Sequence, residues 1–261
     1  MNEPKRIVCH FSCGAASAVA TKLTIAKNEA APSKLPIEII YCHVRQEDPD
    51  NMRFLRDCEK WFGLPIQILM DKKYDGDIVQ VMTKRQYING ADGAPCTLHL
   101  KKEPARAFAK HGDLNVYGYT AGEEDRYDRW IDANAERLIS APLIESGIYK
   151  GAALAMVKRA GIELPRLYAM GYDHNNCIGC VKGGAWYWNK IRVDFPERFA
   201  EQLAIEEGIG HPTLRINKQP VWLRDLAPGR GRRHEEPKIE CGVACEAVET
   251  TILESELSDL I

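Results

Sequence analysis

Five of the nine cysteines have neighbours and spacings that suit metal ligation or redox chemistry. Cys177 and Cys180 form a C-x-x-C pair, Cys241 and Cys245 form a C-x-x-x-C pair, and Cys96 stands alone in a polar stretch. A C-x-x-C segment presents two thiolates to one metal ion with little distortion of the backbone, and the same spacing serves thiol–disulfide exchange. The two pairs together permit a four-cysteine site for an iron–sulfur cluster or, alternatively, a structural zinc ion.

The composition places these cysteines in a reducing environment. The net charge is −2 and 28% of the residues are charged, which favours neither nucleic acid nor a membrane as a partner. No apolar run approaches the length of a membrane-spanning helix, and the N-terminus lacks the shape of a signal peptide. We therefore expect a cytoplasmic protein, in which disulfides are uncommon and Cys9, Cys42 and Cys58 are buried in the core.

The loop Ser12–Ser17 is the second feature that could do chemistry, because it joins an apolar strand pattern to a helical one. Gly14 lets a ligand approach the backbone closely. The N–H groups at the helix start, from Ala15 onward, and the hydroxyls of Ser12 and Ser17 suit a phosphate, sulfate or pyrophosphate. The loop has neither the dinucleotide fingerprint nor the Walker spacing, and a tight strand-to-helix turn without a ligand explains it equally well.

Alternating strand and helix patterns must position this loop and the cysteines. Apolar runs predict strands at Ile7–Phe11, Ile37–Val44, Pro65–Met70 and Leu114–Tyr119. Helical spacing predicts helices at Ala15–Ala26, Lys101–His111, Asp125–Leu138 and Gly151–Gly161, and a further helix with Asp48 as its N-cap and Gly63 at its end. The alternation predicts an α/β fold, a parallel sheet with helices on both faces, with ligand-binding loops at the carboxyl ends of the strands.

The loop resembles the PP-loop of ATP pyrophosphatases, which reads S-G-G-x-D-S where this chain reads S-C-G-A-A-S over Ser12–Ser17. Ala16 replaces the acidic residue that handles pyrophosphate and its metal in that family. PAPS reductases also tend to lack this acidic residue, and their S-x-G-x-x-A-A-V pattern is similar to the sequence from Ser12 to Val19. The resemblance favours binding of a preformed sulfonucleotide over cleavage of ATP.

A second block, Cys96–Pro104, resembles the C-T-x-x-L-K-x-x-P block of PAPS-reductase-like proteins. This resemblance implies that Lys101 supplies a cation to the anionic ligand, whereas taken alone Lys101 would be a solvated surface residue. Cluster-bearing adenylyl-sulfate reductases have two adjacent cysteines in this block, and here Thr97 takes the second position.

A weaker match covers Tyr117–Arg126, where the family often shows a strand that ends in glycine, followed by an acidic residue and an arginine. Glu123 and Arg126 fill those places, so the resemblance implies that Arg126 lies near the nucleotide. An ordinary helix start with acidic residues in its first turn is an equally good interpretation.

The segment from Leu164 to Cys180 is similar to the L-Y-x-x-G-Y and C-x-x-C segment of the same family. In cluster-bearing relatives, the positions of Cys96, Cys177 and Cys180 hold three of the four ligands of an iron–sulfur cluster, most often of the 4Fe–4S type. The fourth ligand stays open at this stage, and Cys245 is a candidate for it.

Near the C-terminus, Glu240-Cys241-Gly242 resembles the E-C-G-[LI]-H tail of sulfonucleotide reductases, whose cysteine attacks sulfur and forms a thiosulfonate. The resemblance implies that Cys241 is the nucleophile, carried on a mobile arm over Pro228–Pro237 whose arginines draw it to an anionic ligand. Val243 and Ala244 depart from the family pattern, so Cys241 as a metal ligand is the alternative.

Together the resemblances imply an adenine nucleotide alpha-hydrolase-like fold. The composition changes after about Tyr172, to glycine, paired cysteines and tryptophans, so we expect a nucleotide-binding domain over residues 1–172. Residues 173–261 then form a cysteine-rich C-terminal region that carries metal ligands and serves as a lid. The expected function is that of a sulfonucleotide (PAPS/APS) reductase that binds an adenine nucleotide and uses a thiol reductant protein. The alternatives are an ATP-dependent sulfur transferase, of the nucleic-acid thiolation or DNA phosphorothioation type, and an inactive nucleotide-binding protein. Nucleic acid is the less favoured partner.

Overall fold

The computed structural model describes residues 3–90 and 93–236, in which strands and helices alternate and form an α/β fold. The strands are β1 (Arg6–His10), β2 (Ile37–Cys42), β3 (Ile66–Leu69), β4 (Asp113–Val116), β5 (Leu138–Ser140), β6 (Leu214–Ile216) and β7 (Gln219–Val221). The helices are α1 (Ala15–Ala30), α2 (Asn51–Phe62), α3 (Ile78–Arg85), α4 (Pro95–Thr97), α5 (Glu103–Phe108), α6 (Glu124–Asp132), α7 (Pro142–Glu145), α8 (Lys150–Arg159), α9 (Arg166–Ala169), α10 (Ala185–Asp194) and α11 (Pro196–Ile209). A π-helix, Leu98–Lys102, joins α4 to α5. Within this described part, no helix has both the length and the apolar character needed to cross a bilayer.

Five parallel strands form the main sheet, in the order β3-β2-β1-β4-β5, and helices flank it. The chain builds outward from β1 through β2 to β3, and then returns to the other side of β1 to form β4. The direction of winding therefore reverses between β1 and β4. The region outside the carboxyl ends of two such strands is the usual ligand site of open α/β sheets.

Alternate residues of β1 point to opposite sides of the sheet. Ile7, Cys9 and Phe11 join one core cluster with residues of α1, α2 and α8. Cys9 and Cys58 are fully buried and Cys42 is 8% exposed, which confirms the prediction that these three cysteines are core residues. Burial raises the pKa of Cys9 to about 12, so its thiol stays protonated and unreactive at neutral pH.

Helix α2 begins later than the sequence predicts, and the prediction that Asp48 is its N-cap is wrong. Asp50 occupies the cap position. The carboxylate of Asp48 instead accepts a hydrogen bond from the Asp50 N–H at 2.9 Å, and it pairs with Arg166 at 2.7 Å. This side-chain turn delays the helix. Its end at Gly63 is confirmed, because Gly63 adopts the left-handed conformation with φ of 70°.

The chain separates into two compact units. The first comprises residues up to His43, Asp48–Leu69 and Pro104–Asn175, and it contains the parallel sheet. The second comprises Val44–Glu47, Met70–Glu103 and, among the described residues, 176–236. Its own core cluster draws on all three of these segments. The expected division at residues 172 and 173 stays a prediction.

Candidate functional site

In the first unit, hydrogen bonds within the loop Ser12–Ser17 fix its shape. The Ser17 hydroxyl accepts from the Ser12 N–H at 3.0 Å and donates to the carbonyl of Gly14 at 3.0 Å. The two serine hydroxyls lie 3.1 Å apart. The first helical hydrogen bond of α1 follows, from the Ala18 N–H to Gly14. Because the N–H groups of a first helical turn have no acceptor within their helix, this turn can receive an anion.

Cys13 adopts a left-handed backbone conformation, with φ of 55°, that few residues other than glycine tolerate. Its carbonyl accepts a hydrogen bond from the Asn175 side-chain amide at 2.7 Å, and its buried thiol lies 3.7 Å from the carbonyl of Asn51. Backbone strain of this kind persists only where surrounding contacts enforce it, and it often marks functional sites. The loop is therefore held in one conformation by residues distant in sequence.

Gly118 brings a second loop against this one. It follows β4, and a β-carbon at this position would lie 2.6 Å from the backbone nitrogen and 2.7 Å from the Cα of Ser17. No other residue type fits such a close approach of two backbones. The loops that follow β1 and β4 thus meet where the winding of the sheet reverses.

Arg126 lies at the start of α6 in the same unit, where Glu123 fixes its position. Its guanidinium pairs with Glu123 at 2.9 Å and lies 4.9 Å from the centre of the Tyr119 ring. Burial alone would raise the pKa of Glu123, but hydrogen bonds from Thr120 and the charge of Arg126 outweigh it and leave that pKa below its ordinary value. The carboxylate therefore stays ionised and holds the arginine in place.

His10 ends β1, and sequence reasoning gave it no role. Its Nε2 lies 3.0 Å from the Asn115 side-chain oxygen, and its ring stacks on Tyr117 at 4.3 Å. Burial lowers the pKa of His10 to about 4, against the opposing effect of the Asn115 hydrogen bond, so the imidazole is neutral. The Asn115 amide nitrogen already donates to the Asp113 carbonyl, so Nε2 carries the proton. Its Nδ1 is buried and has no hydrogen-bond partner among the described residues.

Lys101 belongs to the second unit and is a buried residue, not a solvated one. Its ammonium pairs with the buried carboxylate of Glu47 at 2.8 Å. The thiol of Cys177 lies 3.9 Å from the same carboxylate oxygen. Lys101 lies in the π-helix Leu98–Lys102, and short π-helical segments frequently occur at functional sites. Its expected role toward a nucleotide stays a prediction.

The C-x-x-C segment forms a tight turn in the second unit. The Tyr187 hydroxyl donates to the carbonyl of Cys177 at 3.0 Å and accepts from the N–H of Cys180 at 2.9 Å, so it closes the turn. Both cysteines are buried, at 3% and 6% exposure. Cys96 packs against the core cluster that contains Cys177.

These thiols have the donor chemistry that an iron–sulfur cluster requires. Within residues 3–90 and 93–236, no three or more His, Cys, Asp or Glu side chains form a group that could hold a metal ion. Cys241 and Cys245 lie outside the described residues. The set of cluster ligands therefore stays a prediction.

The arm that sequence reasoning expects to be mobile is held in place as far as residue 236. The carboxylate of Glu236 accepts hydrogen bonds from the N–H groups of Gly184 and Trp186, both at 2.7 Å, at the start of α10. The Asn189 amide, on the same helix, donates to the carbonyls of Ala227 and Arg230. A carboxylate is favoured at a helix N-terminus, and this explains why the segment docks there.

Comparison with known proteins leaves the family of this chain open. No protein-family model matches it, and no curated protein matches it either. The resemblance to PAPS reductases consequently depends on the short motifs named above.

The structure groups the sequence-predicted residues into two sets. Ser12, Gly14, Ala15, Ser17 and Arg126 lie in the first unit, and Lys101, Cys96, Cys177 and Cys180 lie in the second. Sequence reasoning missed Asn175, Tyr168 and Glu47 as supports of these sets. Their contacts join residues far apart in the chain, up to 162 positions for Asn175 and Cys13. Tyr168 stands in the L-Y-x-x-G-Y motif, but no local pattern predicts which residues these side chains contact.

Proposed function

We propose that this protein is a nucleotide-binding enzyme that acts on an adenylyl sulfate, in the manner of a sulfonucleotide reductase. The observation that carries the proposal is the close contact of Gly118 with Ser17, at the reversal point of the parallel sheet. Open α/β sheets bind nucleotides at this point, with an anionic group on the N-terminus of the helix that follows the first strand. The fold is accordingly proposed to be of the adenine nucleotide alpha-hydrolase type.

In this proposal the first turn of α1 binds the phosphate or sulfate through backbone N–H groups other than that of Ala15, which donates to the Tyr168 hydroxyl. The hydroxyls of Ser12 and Ser17 bond within the loop and fix its shape, so the backbone N–H groups carry the anion binding. Arg126, held by Glu123, supplies the positive charge from the start of α6. Ala16 stands where ATP pyrophosphatases place an acidic residue, which favours a ligand that is already sulfated.

The chemical step is proposed for Cys241. Its thiolate attacks the sulfur of the adenylyl sulfate, the S–O bond to the nucleotide breaks, and the nucleotide leaves with its phosphate intact. The enzyme then carries a thiosulfonate on Cys241. A thiol reductant attacks the cysteine sulfur, releases sulfite and leaves a disulfide, which a second thiol reduces. The cysteine-rich C-terminal region would then serve as the lid that delivers Cys241.

A 4Fe–4S cluster held by Cys96, Cys177, Cys180 and Cys245 is part of the same proposal. When bound, a cluster would supply an electron-carrying centre and tie these cysteines together. Anaerobic purification with iron, sulfide and zinc analysis tests this on the wild type, Cys177→Ser and the control Cys42→Ser. We expect iron and sulfide in the wild type and the control but not in Cys177→Ser. Zinc alone, or no metal in the wild type, would contradict the cluster.

The decisive assay for the function is the release of sulfite and nucleotide from adenosine 5′-phosphosulfate and from its 3′-phosphorylated form, with a dithiol as reductant. We expect equal amounts of sulfite and nucleotide from the wild type and none from Cys241→Ser. A protein that binds neither sulfonucleotide and releases no sulfite would overturn the proposal.

A second candidate function is ATP-dependent sulfur transfer to nucleic acid. One observation favours it: Arg230, Arg232 and Arg233 are exposed, and the guanidinium of Arg233 lies 5.7 Å from the centre of the Trp186 ring. Exposed cations beside an aromatic side chain suit single-stranded nucleic acid. Release of pyrophosphate from ATP, stimulated by RNA or DNA, would decide for this candidate.

A further inference from the structure

The hydroxyl of Tyr168 reaches the N-terminus of α1 in the first unit. It accepts hydrogen bonds from the backbone N–H groups of Ala15 and Asn175. A β-carbon at Gly14 would lie 3.6 Å from this hydroxyl. Ala15 is the first residue of α1, so the phenol lies directly beside the N–H groups that would meet an anion.

The direction of the phenolic proton follows from this arrangement. A phenol oxygen offers two lone pairs and one O–H, and two N–H groups already bond to the oxygen of Tyr168. Its remaining capacity is therefore that of a donor. Burial raises the pKa of Tyr168, although the two backbone hydrogen bonds act against this, so the phenol keeps its proton at neutral pH.

Asn175 provides a second observation at the same loop, a buried side-chain oxygen without a donor among the described residues. Its amide nitrogen donates to the Cys13 carbonyl at 2.7 Å and to the Asn51 side-chain oxygen at 2.6 Å. Because the Cys13 carbonyl can only accept, the orientation of the amide is fixed. The side-chain oxygen of Asn175 then has no hydrogen-bond partner in the described part of the chain, although the residue is only 7% exposed. A buried acceptor without a donor marks a place where a ligand or water belongs.

We propose that Tyr168 is a ligand-binding residue that donates its O–H to an anionic oxygen of the nucleotide held at the start of α1. This proposal depends on the proposed nucleotide binding and adds to it the group that recognises the phosphate or sulfate. The unsatisfied oxygen of Asn175 accepts a hydrogen bond from the same ligand or from a water bound with it.

Calorimetric titration of the full-length protein with AMP and with adenosine tests the proposal, on the wild type and on Tyr168→Phe. The substitution keeps the ring and removes only the O–H. Because Tyr168→Phe loses a hydrogen bond to a charged group, we expect AMP to bind about 10- to 100-fold more weakly to this variant than to the wild type. Adenosine has no phosphate, so its affinity should stay unchanged. Tyr87→Phe, the same change in the second unit, is the control and leaves both affinities unchanged.

The outcomes separate this proposal from the one on which it depends. A wild type that binds neither ligand, or both equally, overturns nucleotide recognition at this loop and the role of Tyr168 with it. A wild type that prefers AMP, with the same preference in Tyr168→Phe, overturns the role of Tyr168 alone. An equal loss of both affinities in Tyr168→Phe, with a lower melting temperature, shows a purely structural role and also overturns it.

A second measurement tests the same proposal if Tyr168→Phe fails to fold. With 3-fluorotyrosine placed at position 168, the fluorine resonance reports directly on the environment of the hydroxyl. We expect it to shift on saturation with AMP and to stay in place with adenosine. A resonance that does not respond to AMP overturns the proposal.

Discussion

Gly118 is the residue on which the meeting of the two loops depends. A β-carbon there would collide with the backbone of Ser17 at 2.6 Å, and a backbone cannot rotate away as a flexible side chain can. We therefore expect Gly118→Ala to lower the free energy of unfolding by about 2 kcal/mol or more, as overpacking does. Urea unfolding followed by circular dichroism measures this change.

Gly151→Ala is the matched control in the same unit. Nothing lies within 4 Å of a β-carbon at Gly151, so the added methyl group meets open space. We expect this variant to be as stable as the wild type or slightly more stable, because alanine is the better helix former. Equal stability of the two variants would contradict the tight contact at Gly118.

The buried, neutral His10 makes stability depend on pH. Its pKa is about 4 in the folded protein, and the ordinary value is 6.5, so between these values the unfolded chain binds more protons. Stability therefore falls as the pH falls from about 6.5 to about 4, by at most about 3 kcal/mol from this residue. Urea midpoints across this pH range measure the slope.

His10→Gln removes the titration and keeps a side-chain N–H that can bond to Asn115. We expect its stability to change less with pH in this window than that of the wild type. His111→Gln, the same substitution at an exposed position, is the control. An unchanged slope in His10→Gln would show that His10 is not the titrating group.

Among the elements, the π-helix is tied to the segment Val44–Glu47 by a buried ion pair. The side chains of Lys101 and Glu47 are only 11% and 2% exposed. Lys101→Met breaks this buried ion pair by removing one partner of the Glu47 carboxylate, so we expect a loss of about 3 kcal/mol in unfolding free energy. The double variant Lys101→Met/Glu47→Gln should recover part of this loss, and chemical denaturation measures both.

An exposed ion pair in the same unit serves as the control for the buried pair of Lys101 and Glu47. Arg45 and Asp75 pair with side chains about half exposed, at 52% and 49%. Asp75→Asn should change stability by less than about 1 kcal/mol, because water screens the pair. A loss from Lys101→Met no larger than that from Asp75→Asn would contradict the burial of the Lys101–Glu47 pair.

Helix α10 is capped by Glu236, and the cap holds the arginine-rich segment in place. Glu236→Ala should lower stability by about 1 kcal/mol and speed trypsin cleavage after the exposed residues Arg230, Arg232 and Arg233, because their segment is no longer docked. Limited proteolysis, with the fragments identified by mass spectrometry, measures the rate of cleavage. The neighbouring change Glu235→Ala is the control, because Glu235 reaches Arg232 only at 4.0 Å. Equal rates for the two variants would contradict the docking.

The sequence predicts most of the elements around the site but not their ends. The strand at Ile7–Phe11 and the helix that begins at Ala15 are confirmed within a few residues, because their patterns are long and uninterrupted. β5 was missed, since Leu138–Ser140 has three residues and continues the apolar spacing of the preceding helix. Only pairing with β4 makes this segment a strand.

For the molecule as a whole, the position of the loop at the end of β1 could be predicted, but its supports could not. Periodicity places Ser12–Ser17 between a strand and a helix, and parallel strands bring their carboxyl ends to one edge. The clamp from Asn175 and the capping hydroxyl of Tyr168 come from residues about 150 to 160 positions away, and one sequence does not encode such contacts in a local pattern. The burial of Lys101 could not be predicted from the sequence for the same reason, because its partner Glu47 lies 54 positions away in the chain.

The whole molecule is proposed to bind a nucleotide through the first unit and to carry its reactive cysteines in the second unit and the C-terminal residues. Amide chemical shifts of the ¹⁵N-labelled protein, titrated with adenosine 5′-phosphosulfate, test the first part most directly. We predict saturable shifts concentrated at Ser12–Ser17 and at residues 118–126. The absence of shifts, or saturable shifts confined to other parts of the chain, would contradict nucleotide binding at the reversal point of the sheet.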